Sequence, residues 1–248
     1  MDRAAHHDSM QRLAGVREHL DGDLTDERVL EGNLRDLRRI NRFSGGLSLS
    51  RRAVDALVEV AKVPVDQAVT LLDVGTGGAD IPMGLIAGWR RAGRRLAVLG
   101  VDSRAEVLAA AGRERPAVLA TDGLTLRIAD GRTLPFDDRS FDIAHASLVL
   151  HHLEPAEAAA LVSEMARVAR HGIVLNDLAR GRLALVGAWV LLHVITRNPF
   201  TRHDGPLSVR RAYSLAEART LLTEAGLRIV DEEIGFVGHR WALAAVAA

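Results

Sequence analysis

After residue 68 short apolar runs alternate with stretches of helical length, and this order restricts the fold more than any other feature of the chain. The run "VTLLDVG" reads as a buried strand, followed by a helix in "ADIPMGLIAGWRRAG". A second strand lies in "RLAVLGVD" (95–102), then a helix in "RAEVLAAAGRE". A third strand follows in "LTLRIAD" (124–130) and a fourth within "SFDIAHASLVL" (140–150). A helix over 155–169 leads to a fifth strand at "GIVLND" (172–177). Strand–helix repetition of this kind means parallel pairing through right-handed crossovers, with helices on both faces of the sheet. Near the end a helix in "LAEARTLLTEAG", closed by Gly226, precedes two closing strands in "LRIVDEEIG" and "HRWALAAVAA".

Two segments break the pattern. In residues 1–67, Leu30, Leu34, Leu37 and Ile40 recur at helical spacing, with a start near Asp26 marked by Thr25 and Glu27. Val54, Leu57, Val58 and Ala61 repeat that spacing from Ser50 until Pro64. This part reads as an N-terminal helical cap on a domain spanning 68–248. Residues 178–213 form an insertion that contains the longest uncharged apolar stretch, Leu183 to Thr196. Its 14 residues are short for a bilayer span, and it contains His193.

Composition removes several functions. The 248 residues carry no net charge, which disfavours a nucleic-acid partner held by broad phosphate neutralisation. Without cysteine there is no thiol nucleophile, thiolate metal site or disulfide. Lys62, the single lysine, is outside any phosphate-loop context, so a Walker-type ATPase is excluded. "MDRAAHHDSM" at the start lacks a signal-peptide apolar region, and a cytoplasmic protein is expected.

The stretch "LLDVGTGGAD" then asks which ligand the fold holds. In an open parallel sheet, ligands bind beyond the carboxyl ends of the strands, and glycines there let backbone approach them closely. A dinucleotide fingerprint needs G-x-G-x-x-G facing a pyrophosphate; aligned on Gly75 and Gly77, its third glycine falls on Asp80, which would repel phosphate. A phosphate-free sulfonium donor, S-adenosyl-L-methionine, suits acids at the loop, and Asp73 and Asp80 flank it. Asp102 ends the second strand, placed for ribose hydroxyls with either cofactor. Asp130 ends the third, placed for an adenine amino group or simply for an Asp-Gly turn.

The blocks "LLDVGTGGAD", "VLGVDSRAEVLAAA" and "LRIADGRTLPFDDRSFDIAHASLVLHHL" resemble the class I S-adenosylmethionine-dependent methyltransferases, and within them the methylases of ubiquinone and menaquinone synthesis and related small-molecule enzymes. The resemblance implies a Rossmann-like three-layer α/β sandwich with a mostly parallel seven-stranded sheet and an antiparallel last strand. It implies that Asp73, Gly75 and Gly77, with Thr76, line the methionine moiety. Asp102 with Ser103 would hold the ribose, and Ala129, Asp130 and Gly131 the adenine. Ser147 and His152 would sit beside the methionine end. The family's third loop glycine is replaced by Ala79, and "HGIVLND" replaces its frequent Pro-Gly-Gly turn. "VLNDLARGRLA" and "RHDGPLSVRRAYS" are similar to a bacterial subgroup associated with aromatic polyketide and quinone-like products, hence with secondary metabolism.

An activated donor leaves the protein to supply alignment, desolvation and, for a weak nucleophile, a base. The base candidates are His151, His152, His193 and His203. If the first two lie in extended chain they point to opposite sides, so at most one of them faces the site. "SLVLHH" stands where nucleic-acid amine methylases carry an Asn/Asp-Pro-Pro-aromatic element. Metal-dependent catechol methylases need acids after both the fourth and fifth strands; here only Asn176 and Asp177 are offered, so no metal is expected. Asn176 and Asp177 either face the acceptor or cap the next segment. The insertion, with Trp189 and Leu192, either forms an acceptor pocket, packs as a core helix or makes a dimer contact. Arg39 and Arg42 share a helix face and either close over the methionine carboxylate or are solvated. The expectation is methyl transfer to oxygen, alternatively carbon, of a small aromatic or lipid-like acceptor by a monomer or homodimer. The rivals are an NAD(P)-dependent oxidoreductase and a non-catalytic subunit of the same fold.

Overall fold

The computed structural model describes residues 10–22, 24 and 26–248, so Thr25 and most of "MDRAAHHDSM" lie outside the described residues. Seven strands form one sheet: β1 (Val69–Val74), β2 (Leu96–Asp102), β3 (Leu124–Ile128), β4 (Phe141–Ser147), β5 (Ala169–Leu178), β6 (Leu227–Ile234) and β7 (Arg240–Ala247). Their order is β3-β2-β1-β4-β5-β7-β6, with β7 antiparallel to both neighbours and the first five strands parallel. The order reverses at β1, so the crevice at the carboxyl ends of β1, β2 and β4 is where a ligand is expected.

Side-chain alternation builds a core on each face of the sheet. Leu72, Val74, Ala144, Ala146, Ile173 and Leu175 face α5 (Pro155–Val168) and α8 (Leu215–Glu224). Leu71, Val98, Ile143, Val174, Ala242 and Ala244 face α2 (Gly46–Val60) and α3 (Asp80–Arg91). Helix α2 starts at Gly46, four residues before the expected Ser50, and Gly45 caps it with a φ of +78°.

Helix α1 (Glu27–Phe43) begins at the Asp26 cap, whose carboxylate accepts from the Arg28 and Val29 amides. Leu30 and Leu34 pack against Val107, Ala110 and Ala111 of α4 (Ala105–Glu114). Leu34 also lines the crevice, together with Leu37 and Ile40. The insertion folds into α6 (Arg182–Ile195) and α7 (Pro199–Arg211), which also flank the carboxyl edge. No helix is long and apolar enough to cross a membrane among the described residues.

Candidate active site

A cavity of about 1460 Å3 opens at the carboxyl ends of β1, β2 and β4. Gly75 and Gly77 turn the chain out of β1 at φ of +68° and +51°. A β-carbon on Gly75 would lie 2.4 Å from Val149 Cγ2, so both sterics and backbone require glycine there. Ala79 is buried and left-handed, at φ +52°. The family's third glycine is thus favoured by backbone conformation, and alanine holds that turn at a cost of about 1 kcal/mol.

Asp73, Thr76, Asp80, Asp102, Ser103, Ala129, Asp130, Gly131 and Ser147 all line this cavity. Asp102 accepts from the Gly77 amide at 3.1 Å and the Arg104 amide at 3.0 Å. Burial raises its pKa, and those amides offset part of the rise. Such a desolvated carboxylate is a good receiver for ribose hydroxyl donors. Asp130 is half-exposed and bound to Arg132 at 2.8 Å, which lowers its pKa. Its neighbour Ala129 donates its amide to the Asp102 carbonyl, tying the two strand ends together. At the start of α3, Asp80 is pushed up by burial, against a hydrogen bond from Asn41. Asp73 is bound to His145 Nδ1 at 2.6 Å.

The histidine pair departs from the extended-chain expectation. After β4 the chain turns at Leu148, with φ +59°, and Leu150–His152 is a short 3-10 turn. The two rings therefore lie side by side, 4.3 Å between centroids, and both line the cavity. Buried His151 directs Nδ1 to Asp177 at 2.6 Å, and Asp177 also accepts the His151 amide at 3.1 Å. Burial raises the Asp177 pKa, but the His151 charge and hydrogen bond and the Leu178 amide outweigh it and hold the carboxyl below its ordinary value. The Nδ1–H tautomer this fixes leaves His151 Nε2 as the basic nitrogen, 3.9 Å from Glu18 Oε1.

A strap formed by residues 10–22 brings Glu18 and Asp21 to these rings, held by Leu13 on the Arg210 carbonyl and by Arg12 over the Tyr213 ring. Asp21 binds His152 Nδ1 at 2.8 Å and Arg211 at 2.8 Å. Burial lowers the His152 pKa, but the Glu18 and Asp21 charges outweigh it and carry it up to about 9. The folded value exceeds the unfolded 6.5, so this stabilisation is complete below about pH 6.5 and is lost as pH rises through about 9. A melting-temperature series from pH 6 to pH 9.5 will fall across that window, and less steeply in His152→Gln. Glu18, His151 and His152 place possible ligand atoms within 4.8 Å of one another, as do His19, His203 and Asp204.

Residues 72–175 match the family model "Methyltransferase domain". These residues form a methyltransferase domain. The chain is 34% identical over 180 residues to an uncharacterized methyltransferase of Mycobacterium avium (strain 104), covering 72% of this chain and 60% of that one. It is 36% identical over 123 residues to a phosphatidylethanolamine N-methyltransferase of Cereibacter sphaeroides, covering 47% and 55%. The chain spans a little more than half the length of these curated relatives. In fold it is similar to magnesium protoporphyrin IX methyltransferase of Synechocystis PCC 6803 with bound S-adenosylhomocysteine, at TM-score 0.55 and 23% identity over 80% of this chain and 83% of that one.

Within this fold a buried polar belt underlies the glycine loop. His145 Nε2 meets Ser50 Oγ at 2.8 Å, and Asn176 donates to Ser50 Oγ at 2.7 Å. Arg240, fully buried, donates to Asn176 Oδ1, Asn41 Oδ1 and Ser147 Oγ at 2.6, 2.7 and 2.9 Å. Burial lowers its pKa to about 10, against the opposing charges of Asp177 and Asp80. Asn176 thus belongs to the belt and Asp177 to His151. The fold keeps His193 out of the cavity lining: its ring stacks on Trp189 at 4.5 Å and Nδ1 meets the Trp189 carbonyl. His203 does not line the cavity, although it pairs with Asp204, which does. Arg39 lines the mouth and pairs with Asp36 at 3.6 Å, whereas Arg42 does not line it. Glu18, Asp21, Arg211 and Arg240 carry no sequence motif, and only the tertiary structure collects them.

Proposed function

We propose that the chain transfers the methyl group of S-adenosyl-L-methionine to an oxygen of a small hydroxylated aromatic, quinone-like or lipid-like acceptor, with His151 as base. The observation that carries this is the buried Asp177–His151 pair, which presents one basic nitrogen at the cavity wall beside the end of β4. His151 Nε2 takes the acceptor hydroxyl proton as the oxygen attacks the sulfonium methyl. The methyl–sulfur bond breaks, S-adenosylhomocysteine leaves, and Asp177 stabilises the imidazolium. The same base serves a carbon acceptor by removing its proton.

In this proposal Asp73, Gly75, Thr76 and Gly77 hold the methionine moiety, Asp102 and Ser103 the ribose, and Ala129, Asp130 and Gly131 the adenine, with Ser147 and His152 beside the methionine; that all of them line one cavity supports the reading. The cavity exceeds what common ligand sites enclose, leaving room for an acceptor. Apolar residues of α6, among them Ala184, Ala188 and Leu191, line its acceptor side. The name of the Cereibacter relative, a phospholipid methylase, supports keeping lipid-like acceptors in the class.

Titration calorimetry tests the cofactor. S-adenosylhomocysteine will bind and NAD will not; the reverse would mean an oxidoreductase, and binding of neither a non-catalytic subunit. Asp102→Ala will weaken S-adenosylhomocysteine by about 10–100-fold, the value of charge-assisted bonds to ribose hydroxyls. The reaction is proposed to need no metal, so turnover will survive a chelator. Loss reversed by a divalent ion would instead assign Glu18, His151 and His152 as ligands.

A further inference from the structure

Helix α6 is apolar on both of its faces, yet Leu192 is its only buried residue. Ala184, Gly187, Ala188, Leu191 and Ile195 share one face and line the cavity. The adjoining face carries Val186, Val190 and Val194, with Trp189 beside them, all exposed, Val194 by 79%; Leu183, exposed by 89%, lies at the cavity mouth. Across the same mouth Phe43, Phe236 and Val237 are exposed by 83%, 88% and 81%. Soluble proteins seldom leave so many large apolar side chains together in water unless the patch binds something.

Charge says what covers it. Between Leu178 and His203 there are four arginines, Arg180, Arg182, Arg197 and Arg202, and no acidic residue. Arg180 and Arg202 are held by Glu217 and by the Thr196 and His193 carbonyls. Arg197 is exposed beyond the C-terminal end of α6, and Arg42 and Arg39, the latter paired with Asp36, lie on the exposed C-terminal turns of α1, next to Phe43. An apolar helix edged by cations, with Trp189 on its outer face, matches an anionic bilayer surface. At 1.5 Å per residue α6 is about 21 Å long, too short to span a core of about 30 Å, so it lies in the plane of the interface.

We infer that the outer face of α6, with Phe43, Phe236 and Val237, docks on an anionic lipid bilayer, so that the cavity mouth opens onto the membrane. Acceptors then enter from the lipid phase without crossing water. This goes beyond the proposed reaction and does not depend on it.

The test uses the full chain with vesicles of phosphatidylcholine alone and of phosphatidylcholine with phosphatidylglycerol, at low and high salt. Trp89 and Trp241 are buried, so a change in tryptophan emission reports on Trp189. The expected result is co-sedimentation that rises at least fivefold with phosphatidylglycerol, falls with salt and is accompanied by a blue shift. Val190→Glu with Val194→Glu, both outside the cavity lining, will lose at least tenfold of that binding and keep S-adenosylhomocysteine affinity. Two results would overturn the inference. One is absence of vesicle binding at low salt by a chain that binds S-adenosylhomocysteine. The other is a wild-type dimer in sedimentation velocity that the double variant dissociates, which would make this face a contact between copies. Failure to bind S-adenosylhomocysteine with vesicle binding intact would count against the proposed reaction alone.

Discussion

His151→Asn lowers kcat by about 10²–10⁴-fold while S-adenosylhomocysteine affinity stays within about threefold, as expected for loss of a general base outside the adenosyl subsite. The fold tolerates the change. Asp177 keeps two of its donors, the position-151 amide and its bond from the Leu178 amide, so its carboxylate is not orphaned. Asp177→Asn gives a smaller loss, because an amide can hold the ring but cannot stabilise the imidazolium. Rates with a phenolic acceptor, followed by mass spectrometry, and calorimetry with S-adenosylhomocysteine read the two effects separately. If His151→Asn leaves kcat unchanged, the base is elsewhere or alignment alone suffices.

Arg240→Met lowers stability by about 3 kcal/mol, a fall in Tm of about 6–12 °C. Methionine fills much of the volume but donates nothing, leaving Asn176 Oδ1, Asn41 Oδ1 and Ser147 Oγ without the donor they now share. Each buried acceptor so stranded costs about 1–3 kcal/mol, and relief from burying a cation returns part of the sum. Asn41 also holds Asp80 beside the glycine loop, so cofactor affinity weakens as well. Calorimetric melting with and without S-adenosylhomocysteine measures both effects. An unchanged Tm would mean that water or rotamer changes satisfy the belt without Arg240.

The parallel part of the fold was legible because each strand and helix is a local pattern, with apolar runs of strand length and helical repeats meeting at glycines or acids. The acids Asp73, Asp102 and Asp130 were legible for the same reason: each lies within two residues of the carboxyl end of its own strand, and parallel strands bring those ends to one edge. The arrangement of the histidine pair is not legible in the sequence, because a 3-10 turn and an extended segment cannot be told apart over three residues when the turn is set by Leu148 and by Asp177 on another strand.

The sequence by itself determined the layered α/β sheet, the glycine turn and the acidic edge, since these follow from local periodicity and backbone conformation. Only the tertiary structure decided what surrounds the reacting end. Glu18 and Asp21 arrive on the strap packed along α7, and Asp177 reaches His151 from the neighbouring strand. Arg240 is the first residue of a strand running against β5, which returns it to the carboxyl edge. Those partners are 26 to 199 positions apart in the chain. Their meeting depends on strand order and helix packing, which no local spacing encodes.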